Sequence, residues 1–128
     1  MKYQLVRENH STLKNFGRYR AKAVHHNTIE PEQLCQEIEA NCSAKASDVK
    51  LVLAELSDTL LRHLKQGDRV RLEELGLLKL EIESDKVDTE EQFNARKHIR
   101  GVRLHFLPES HEGRQRMYED IKFERERA

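Results

Sequence analysis

The sequence has no tryptophan, only five glycines and two prolines, and an apolar fraction of 37% over 128 residues. A single core at this length buries about two-thirds of the unfolded surface, so a core with so few apolar residues must be lean. We therefore expect small packing units or a partner chain. The longest apolar runs fall well short of the roughly 20 residues that span a bilayer, and the N-terminus lacks the apolar stretch of a signal peptide. These absences predict a cytoplasmic protein with no membrane partner.

Cysteine and glycine are too sparse for most kinds of active site. Cys35 and Cys42 lie seven residues apart in one predicted helix, about 10 Å along its axis, which is too far for a disulfide. The histidines are scattered and do not complete a zinc site. No two glycines are adjacent, and no Ser, Cys or His nucleophile motif occurs. We expect two small buried thiols, no metal, no cofactor, no small-molecule substrate and no enzymatic activity.

The charge is balanced in total but segregated along the chain, with 23 basic and 23 acidic side chains. Residues 1–26 hold six basic groups and one acidic group, whereas residues 27–95 hold eight basic and sixteen acidic groups. Residues 96–105 carry four basic groups and no acidic one, and residues 106–128 have a net charge of −1. Two basic segments therefore flank an acidic middle. This pattern favours a bipolar molecule, and ordinary surface charge is the alternative.

Local patterns predict strands at both ends of the chain and two helices near its middle. Alternation predicts strands at 2–7 and 17–24, joined by a loose turn over 9–15. A helix is predicted over 28–42, with Thr28 as a possible cap and Pro31 in its first turn. A longer helix is predicted to follow, from a Ser47 cap to about Gln66, with Gly67 as its C-terminal cap.

The second half of the chain is predicted to form a sheet and a terminal helix. Short strands are predicted at 69–72, 76–83 and 99–107, and the polar residues 84–95 are predicted to form a loop or the tip of a hairpin. In the last strand, Val102, Leu104 and Phe106 face one way and Arg103 and His105 the other. Helical spacing of Met117 and Ile121 predicts a short C-terminal helix over 112–126.

Residues 28–83 resemble the bacterial histone-like family of HU and integration host factor. The resemblance rests on six elements in order: the Leu34 and Ile38 pair, the Asp48-Val49 start of the second helix, the Lys65-Gln66-Gly67-Asp68 cap, the Val70-x-Leu72 strand, the Leu75-Gly76-Leu77-Leu78 turn and the strand after it. It implies an α+β, HU/IHF-like fold in one domain, 1–128. Its expected parts are N-terminal strands (1–26), a helical hairpin (28–66), a three-stranded antiparallel sheet with a β-arm (69–107) and the short terminal helix. The extra strands look like those of a divergent branch.

The resemblance also implies an obligate dimer that sits as a saddle over double-stranded DNA, with arms in the minor groove. The arm tip of HU proteins carries a proline that wedges between base steps, but residues 84–98 contain none. Non-specific binding to the phosphate backbone is therefore the expectation. The candidate DNA-binding residues fall into three groups. They are Arg96, Lys97, Arg100 and Arg103 first, Arg69, Arg71 and Lys79 second, and Arg18, Arg20 and Lys22 third.

The leading functional prediction is a sequence-tolerant, architectural DNA-binding protein that acts as a homodimer on the cytoplasmic nucleoid. The alternative is a dimeric interaction or scaffold module that kept the fold and has weak or no DNA binding. The neutral total charge and the acidic arm tip favour this alternative. The two predictions differ in whether the basic residues converge on one surface or are neutralised by Glu73, Glu74, Glu81 and Glu83. A helix-turn-helix repressor is disfavoured because the second helix is too apolar to read a groove.

Overall fold

The computed structural model describes residues 1–9, 14 and 16–127 and shows an α+β chain. Its elements divide into two compact units, Met1–Leu34 with Asp120–Ala128, and Cys35–Glu119. Within the described residues there are three α-helices and two three-stranded sheets. The elements in chain order are β1 (Lys2–Arg7), β2 (Tyr19–Ala23), α1 (Pro31–Asn41), α2 (Ala46–Lys65), β3 (Val70–Leu72), β4 (Gly76–Ser84), α3 (Ala95–His98), β5 (Ile99–Pro108) and β6 (Glu124–Arg125). The prediction of a single domain stays a prediction.

The first unit is built on a sheet in the order β2-β1-β6. β1 pairs antiparallel with β2 from Tyr3 opposite Ala23 to Arg7 opposite Tyr19, which confirms both predicted N-terminal strands. The predicted turn over 9–15 lies largely outside the described residues. Gly17 ends the connection with a φ of +83°, a left-handed conformation that glycine adopts without strain.

The predicted C-terminal helix over 112–126 is wrong. The segment contains a 3-10 turn at Arg116–Tyr118, and β6 then pairs parallel with β1. Three of its residues, Glu112, Gly113 and Asp120, have positive φ values that are incompatible with a continuous α-helix. The alternation of apolar Ile121 and Phe123 with charged residues fits a strand, and the open edge of β1 supplies the partner that a local pattern cannot reveal.

The two long helices are present where the sequence predicts them, but their N-terminal caps differ, and their packing as a hairpin stays a prediction. α1 begins at Pro31, too far from Thr28 for that residue to cap it. α2 begins at Ala46, one residue before the predicted Ser47 cap. The backbone N–H of Ala46 donates to the carboxylate of Glu39, so α1 supplies the acceptor that caps α2.

The C-terminus of α2 ends as predicted at Gly67. The Gly67 N–H donates to the carbonyl of Leu64 at 3.1 Å, and the Asp68 N–H donates to the carbonyl of His63 at 3.0 Å. This pair of hydrogen bonds is the Schellman arrangement. It requires a left-handed residue, and Gly67 has a φ of +93°.

The second unit carries the sheet β3-β4-β5, which is antiparallel throughout. Gly76 begins β4 at a point where the backbones come very close. A Cβ atom there would clash with the Leu107 carbonyl oxygen and would lie 2.9 Å from two ring atoms of Phe106. The glycine in the predicted Leu75-Gly76 turn is therefore required by packing.

The protein buries very little of its apolar surface within one chain. Only Cys35, Val49 and Leu64 are buried apolar residues in the described part. The accessible surface is 11725 Å², whereas even two separately compact bodies, of one-third and two-thirds of this mass, would expose about 8,400 Å². The lean core that the composition predicts is confirmed. Cys35 is buried as predicted, but Cys42 is exposed because α1 ends at Asn41.

Across the described ranges, no helix is both long enough and apolar enough to cross a membrane.

Candidate nucleic-acid interface

The β4 and β5 strands form a ribbon with one apolar face and one charged face. On the apolar face the directly opposed pairs are Leu78 with Phe106, Leu80 with Leu104 and Ile82 with Val102. On the other face Lys79 lies opposite His105, and Glu81 lies opposite Arg103. Strand alternation puts these two sets on opposite sides, as the sequence predicts.

Glu81 is the centre of an ion-pair cluster on the charged face. Its carboxylate lies 3.5 Å from Lys79 Nζ, 3.5 Å from an Arg103 guanidinium nitrogen and 3.9 Å from His105 Nδ1. Burial acts to raise the pKa of Glu81, but the charges of His105 and Lys79 and the hydrogen bonds from Arg103 and Lys79 together lower it. Glu83 adds a longer contact of 4.0 Å to Arg103. Two candidate cations, Lys79 and Arg103, thus share one carboxylate with His105.

Two further candidate cations are also paired with carboxylates. One Arg71 guanidinium nitrogen donates to both oxygens of Glu109 at 2.8 Å. Arg100 Nε donates to Asp85 Oδ1 at 2.5 Å. This hydrogen bond is the main cause that lowers the pKa of Asp85 and raises that of Arg100.

The connection between β4 and β5 is the tip of a hairpin, one of the two forms that the sequence predicts, and it is folded. It contains a 3-10 turn at Glu90–Gln92 and the one-turn helix α3. The Asn94 side chain accepts the backbone N–H groups of Arg96 at 2.9 Å and Lys97 at 3.3 Å. His98 Nδ1 accepts the Asn94 N–H at 2.9 Å, and its ring lies 5.5 Å from that of Phe93. The tip is held in place by side chains of its own segment.

Arg96, Lys97 and Arg69 differ from the other candidates of the second unit. All three are exposed, and no carboxylate forms an ion pair with any of them in the part of the chain that the structure describes. Arg96 and Lys97 lie in the folded tip, and Arg69 immediately precedes β3. Among the candidate cations of this unit, they are the ones available to an anionic partner without breaking an internal pair.

The third group of candidates lies in the first unit. The register places Arg20 opposite Val6 and Lys22 opposite Gln4. They occupy the face opposite Tyr19, Ala21 and Ala23, as the alternation predicts. Arg18 lies just before the strand, and its carbonyl accepts the Glu8 N–H at 2.8 Å. These three cations form no ion pair with a described carboxylate.

Sequence reasoning anticipated some acidic partners and missed others. Three of the four predicted neutralising residues form ion pairs: Glu81 with Lys79 and Arg103, Glu83 with Arg103, and Glu74 with Arg116. The roles of Asp85 and Glu109 were missed. Asp85 lies 15 residues from its partner and Glu109 lies 38 residues from its partner, so only the strand register could have revealed them.

The family comparison decides the classification. Residues 1–125 match the family HU-HIG, described as an HU domain fused to wHTH, Ig, or glycine-rich motif. The chain belongs to the HU-HIG family. The match includes β1, β2 and β6 as well as the helices and the second sheet, so the predicted HU-like relationship is confirmed. The placement in a divergent branch stays a prediction.

One solved structure has the same fold as this HU-HIG chain. It is a protein of Bacteroides vulgatus ATCC 8482, provisionally described as a bacterial DNA-binding protein, with a TM-score of 0.61 and 11% sequence identity. The similarity covers 97% of this HU-HIG chain and 47% of the Bacteroides chain. The chain therefore spans about half the length of this relative. No curated protein matches the sequence of this HU-HIG chain.

Proposed function

We propose that this HU-HIG chain is a sequence-tolerant architectural DNA-binding protein that acts as a homodimer through phosphate-backbone and minor-groove contacts. The HU-HIG membership supports this function, as does the description of the Bacteroides structure that shares its fold. The observation that carries the proposal is the set of exposed, unpaired cations at the arm tip, Arg96 and Lys97, together with Arg69 beside the sheet. Cations of this kind supply most of the affinity in non-specific DNA binding.

Contacts by the arm tip are proposed without insertion between bases. The segment from Ser84 to His98 has no proline, and its tip is closed by the Asn94 and His98 hydrogen bonds. The remaining candidates, Arg100, Arg103, Arg71, Lys79, Arg18, Arg20 and Lys22, are proposed as supplementary phosphate contacts. Because four of them hold carboxylate partners, DNA affinity should be modest and the salt dependence shallow.

The dimer is proposed because much apolar surface lacks a partner within one chain. On the ribbon, Ile82, Val102 and Leu104 are 64%, 61% and 53% exposed, and they lie next to one another. Leu51, Val52 and Leu61 of α2 are also exposed. Contiguous apolar patches of this kind mark protein interfaces. A second copy of the chain would cover this surface and extend the lean core.

A dimeric scaffold module with weak or no DNA binding is the second candidate. The observation that favours it is the internal neutralisation of Arg71, Lys79, Arg100 and Arg103. Under either function we propose no enzymatic activity, no small-molecule substrate, no membrane partner and a cytoplasmic location, which for the DNA-binding function is the nucleoid.

Titration of duplex DNA at several salt concentrations distinguishes the two functions. We expect the double variant Arg96→Gln/Lys97→Gln to bind more weakly than the wild type, with a log–log salt slope that is smaller by about 0.9 for each phosphate that is no longer neutralised. The charge-matched control is Lys50→Gln/Arg62→Gln on α2, which should leave the slope unchanged. If the wild-type protein shows no binding at low salt, the scaffold function replaces the DNA-binding one.

A further inference from the structure

The charged face of the β4–β5 ribbon is arranged around a carboxylate that DNA would have to approach. Glu81 lies between Lys79, two residues away on the same strand, and Arg103, directly opposite on β5. Both cation–carboxylate distances are 3.5 Å. The three groups therefore carry a net charge of +1 at a place where the sequence shows two strong cations.

We propose that Glu81 restrains DNA binding by holding Lys79 and Arg103, so that it sets the affinity of the charged face. This inference rests on the proposed DNA-binding function. A phosphate that approaches Arg103 must either displace Glu81 or be bound beside a negative charge. In both cases, binding this phosphate releases fewer counterions from the DNA than binding the same phosphate to an unpaired cation would.

The fold should survive removal of the Glu81 charge because the register of the ribbon does not depend on it. The half-buried pair of Leu78 with Phe106 fixes the same register from the other face, and a slip of one residue would turn it outward. Lys79 and Arg103 should therefore stay on the charged face when Glu81 is replaced by glutamine, which keeps the size of the side chain.

The test measures the affinity of Glu81→Gln for a short DNA duplex at salt concentrations from about 50 to about 200 mM, the range over which phosphate binding responds strongly to salt. The variant should bind more tightly than the wild type, and its advantage should shrink by about 3.5-fold across that range for each additional phosphate that it neutralises. Asp58→Asn is the matched control. It removes the same charge from an exposed α2 position for which the structure shows no ion pair among the described residues. Glu83→Gln should have an intermediate effect, because Glu83 contacts only Arg103, at 4.0 Å.

The outcomes separate the restraint from the proposed function itself. If wild type and Glu81→Gln both bind with the same affinity and slope as Asp58→Asn, the restraint is overturned and DNA binding stands. If neither wild type nor Glu81→Gln binds at the lowest salt concentration, the DNA-binding function and the restraint fall together. If only Glu81→Gln binds, the restraint is upheld and the natural chain is the scaffold module. Circular dichroism and unfolding temperatures of all variants confirm that the comparison is between folded proteins.

Discussion

Gly76 offers a sharp test of the packing between the β3–β4 turn and β5. Replacing it with alanine places a Cβ atom against the Leu107 carbonyl oxygen and 2.9 Å from two ring atoms of Phe106, at a φ of +159°. The first neighbour is backbone and cannot rotate away, so β4 and β5 must separate at the point where Gly76 pairs with Pro108. Overpacking costs about 1–3 kcal/mol, and a backbone conformation that L residues rarely adopt adds about 1–3 kcal/mol.

We therefore expect Gly76→Ala to lower the free energy of unfolding by about 2–6 kcal/mol. For a unit of 85 residues each kcal/mol shifts the midpoint by about 4–8 °C, so the unfolding temperature should fall by at least about 8 °C. Thermal and urea unfolding at one fixed protein concentration provide the measurement, because a dimer's stability depends on concentration.

Gly101→Ala is the matched control on the partner strand. Nothing lies within 4 Å of the position that its Cβ would occupy. Alanine there should be neutral or should stabilise the protein by up to about 1 kcal/mol, since it restricts the unfolded chain. A Gly76→Ala variant within about 0.5 kcal/mol of Gly101→Ala, the range of ordinary surface substitutions, would refute the close approach that the structure shows.

Three further predictions concern an ion pair, a helix cap and the apolar ribbon. The hydrogen bond from Arg100 lowers the pKa of Asp85, so the stability from this pair is present above the unfolded pKa and is lost as the pH falls below about 4. Unfolding temperatures at neutral and acid pH should show a smaller acid loss for Asp85→Asn. Glu39→Gln should cost about 0.5–1 kcal/mol in urea unfolding, because it weakens the cap of α2. Ile82→Ser with Val102→Ser should weaken dimerisation in analytical ultracentrifugation, because both exposed side chains lie in the proposed interface.

These three predictions have their own controls. An acid loss in Asp85→Asn equal to that of the wild type would show that the ion pair with Arg100 has no effect on stability. Glu37 lies on the same helix as Glu39, but it is Glu39 that accepts the Ala46 N–H, so equal effects of Glu37→Gln and Glu39→Gln would contradict capping by Glu39. A monomeric wild-type protein at micromolar concentration would contradict the dimer itself.

The elements predicted best are those whose pattern depends on local spacing alone. α2 begins within one residue of its predicted start and ends at the glycine that the sequence indicates, because the Gly67 cap is a local backbone requirement. The two faces of β5 were also predictable, since alternation separates Arg103 from Leu104 whatever the strand pairs with. The exposure of Leu104 could not be predicted in the same way, because it depends on whether a second chain covers the ribbon.

The terminal segment shows why other parts could not be predicted. Met117 and Ile121 fit a helical spacing, whereas Ile121 and Phe123 fit a strand equally well. Pairing with β1, which lies at the opposite end of the chain, decides in favour of the strand. The Met1 ammonium group also donates to the Lys122 carbonyl at 2.6 Å. Such long-range pairing overrides the local preference, and it cannot be predicted from the spacing of apolar residues within the segment.

The ion pairs explain how a chain with a strongly basic segment has a neutral surface in the same region. Arg103 and Arg100 lie in the segment with no acidic residue, yet β4 and the residue after it supply Glu81 and Asp85 as their partners across the ribbon. The charge summed along the chain therefore does not predict the local net charge of the ribbon surface, because the antiparallel register places a basic strand beside an acidic one. Among the candidate cations of the second unit, those that remain available lie beyond the reach of this register: Arg96 and Lys97 at the folded tip, and Arg69 just before β3. If DNA binding depends on them, the strength of the interface is set by which cations lack a cross-strand partner, and the net charge of the chain has little part in it.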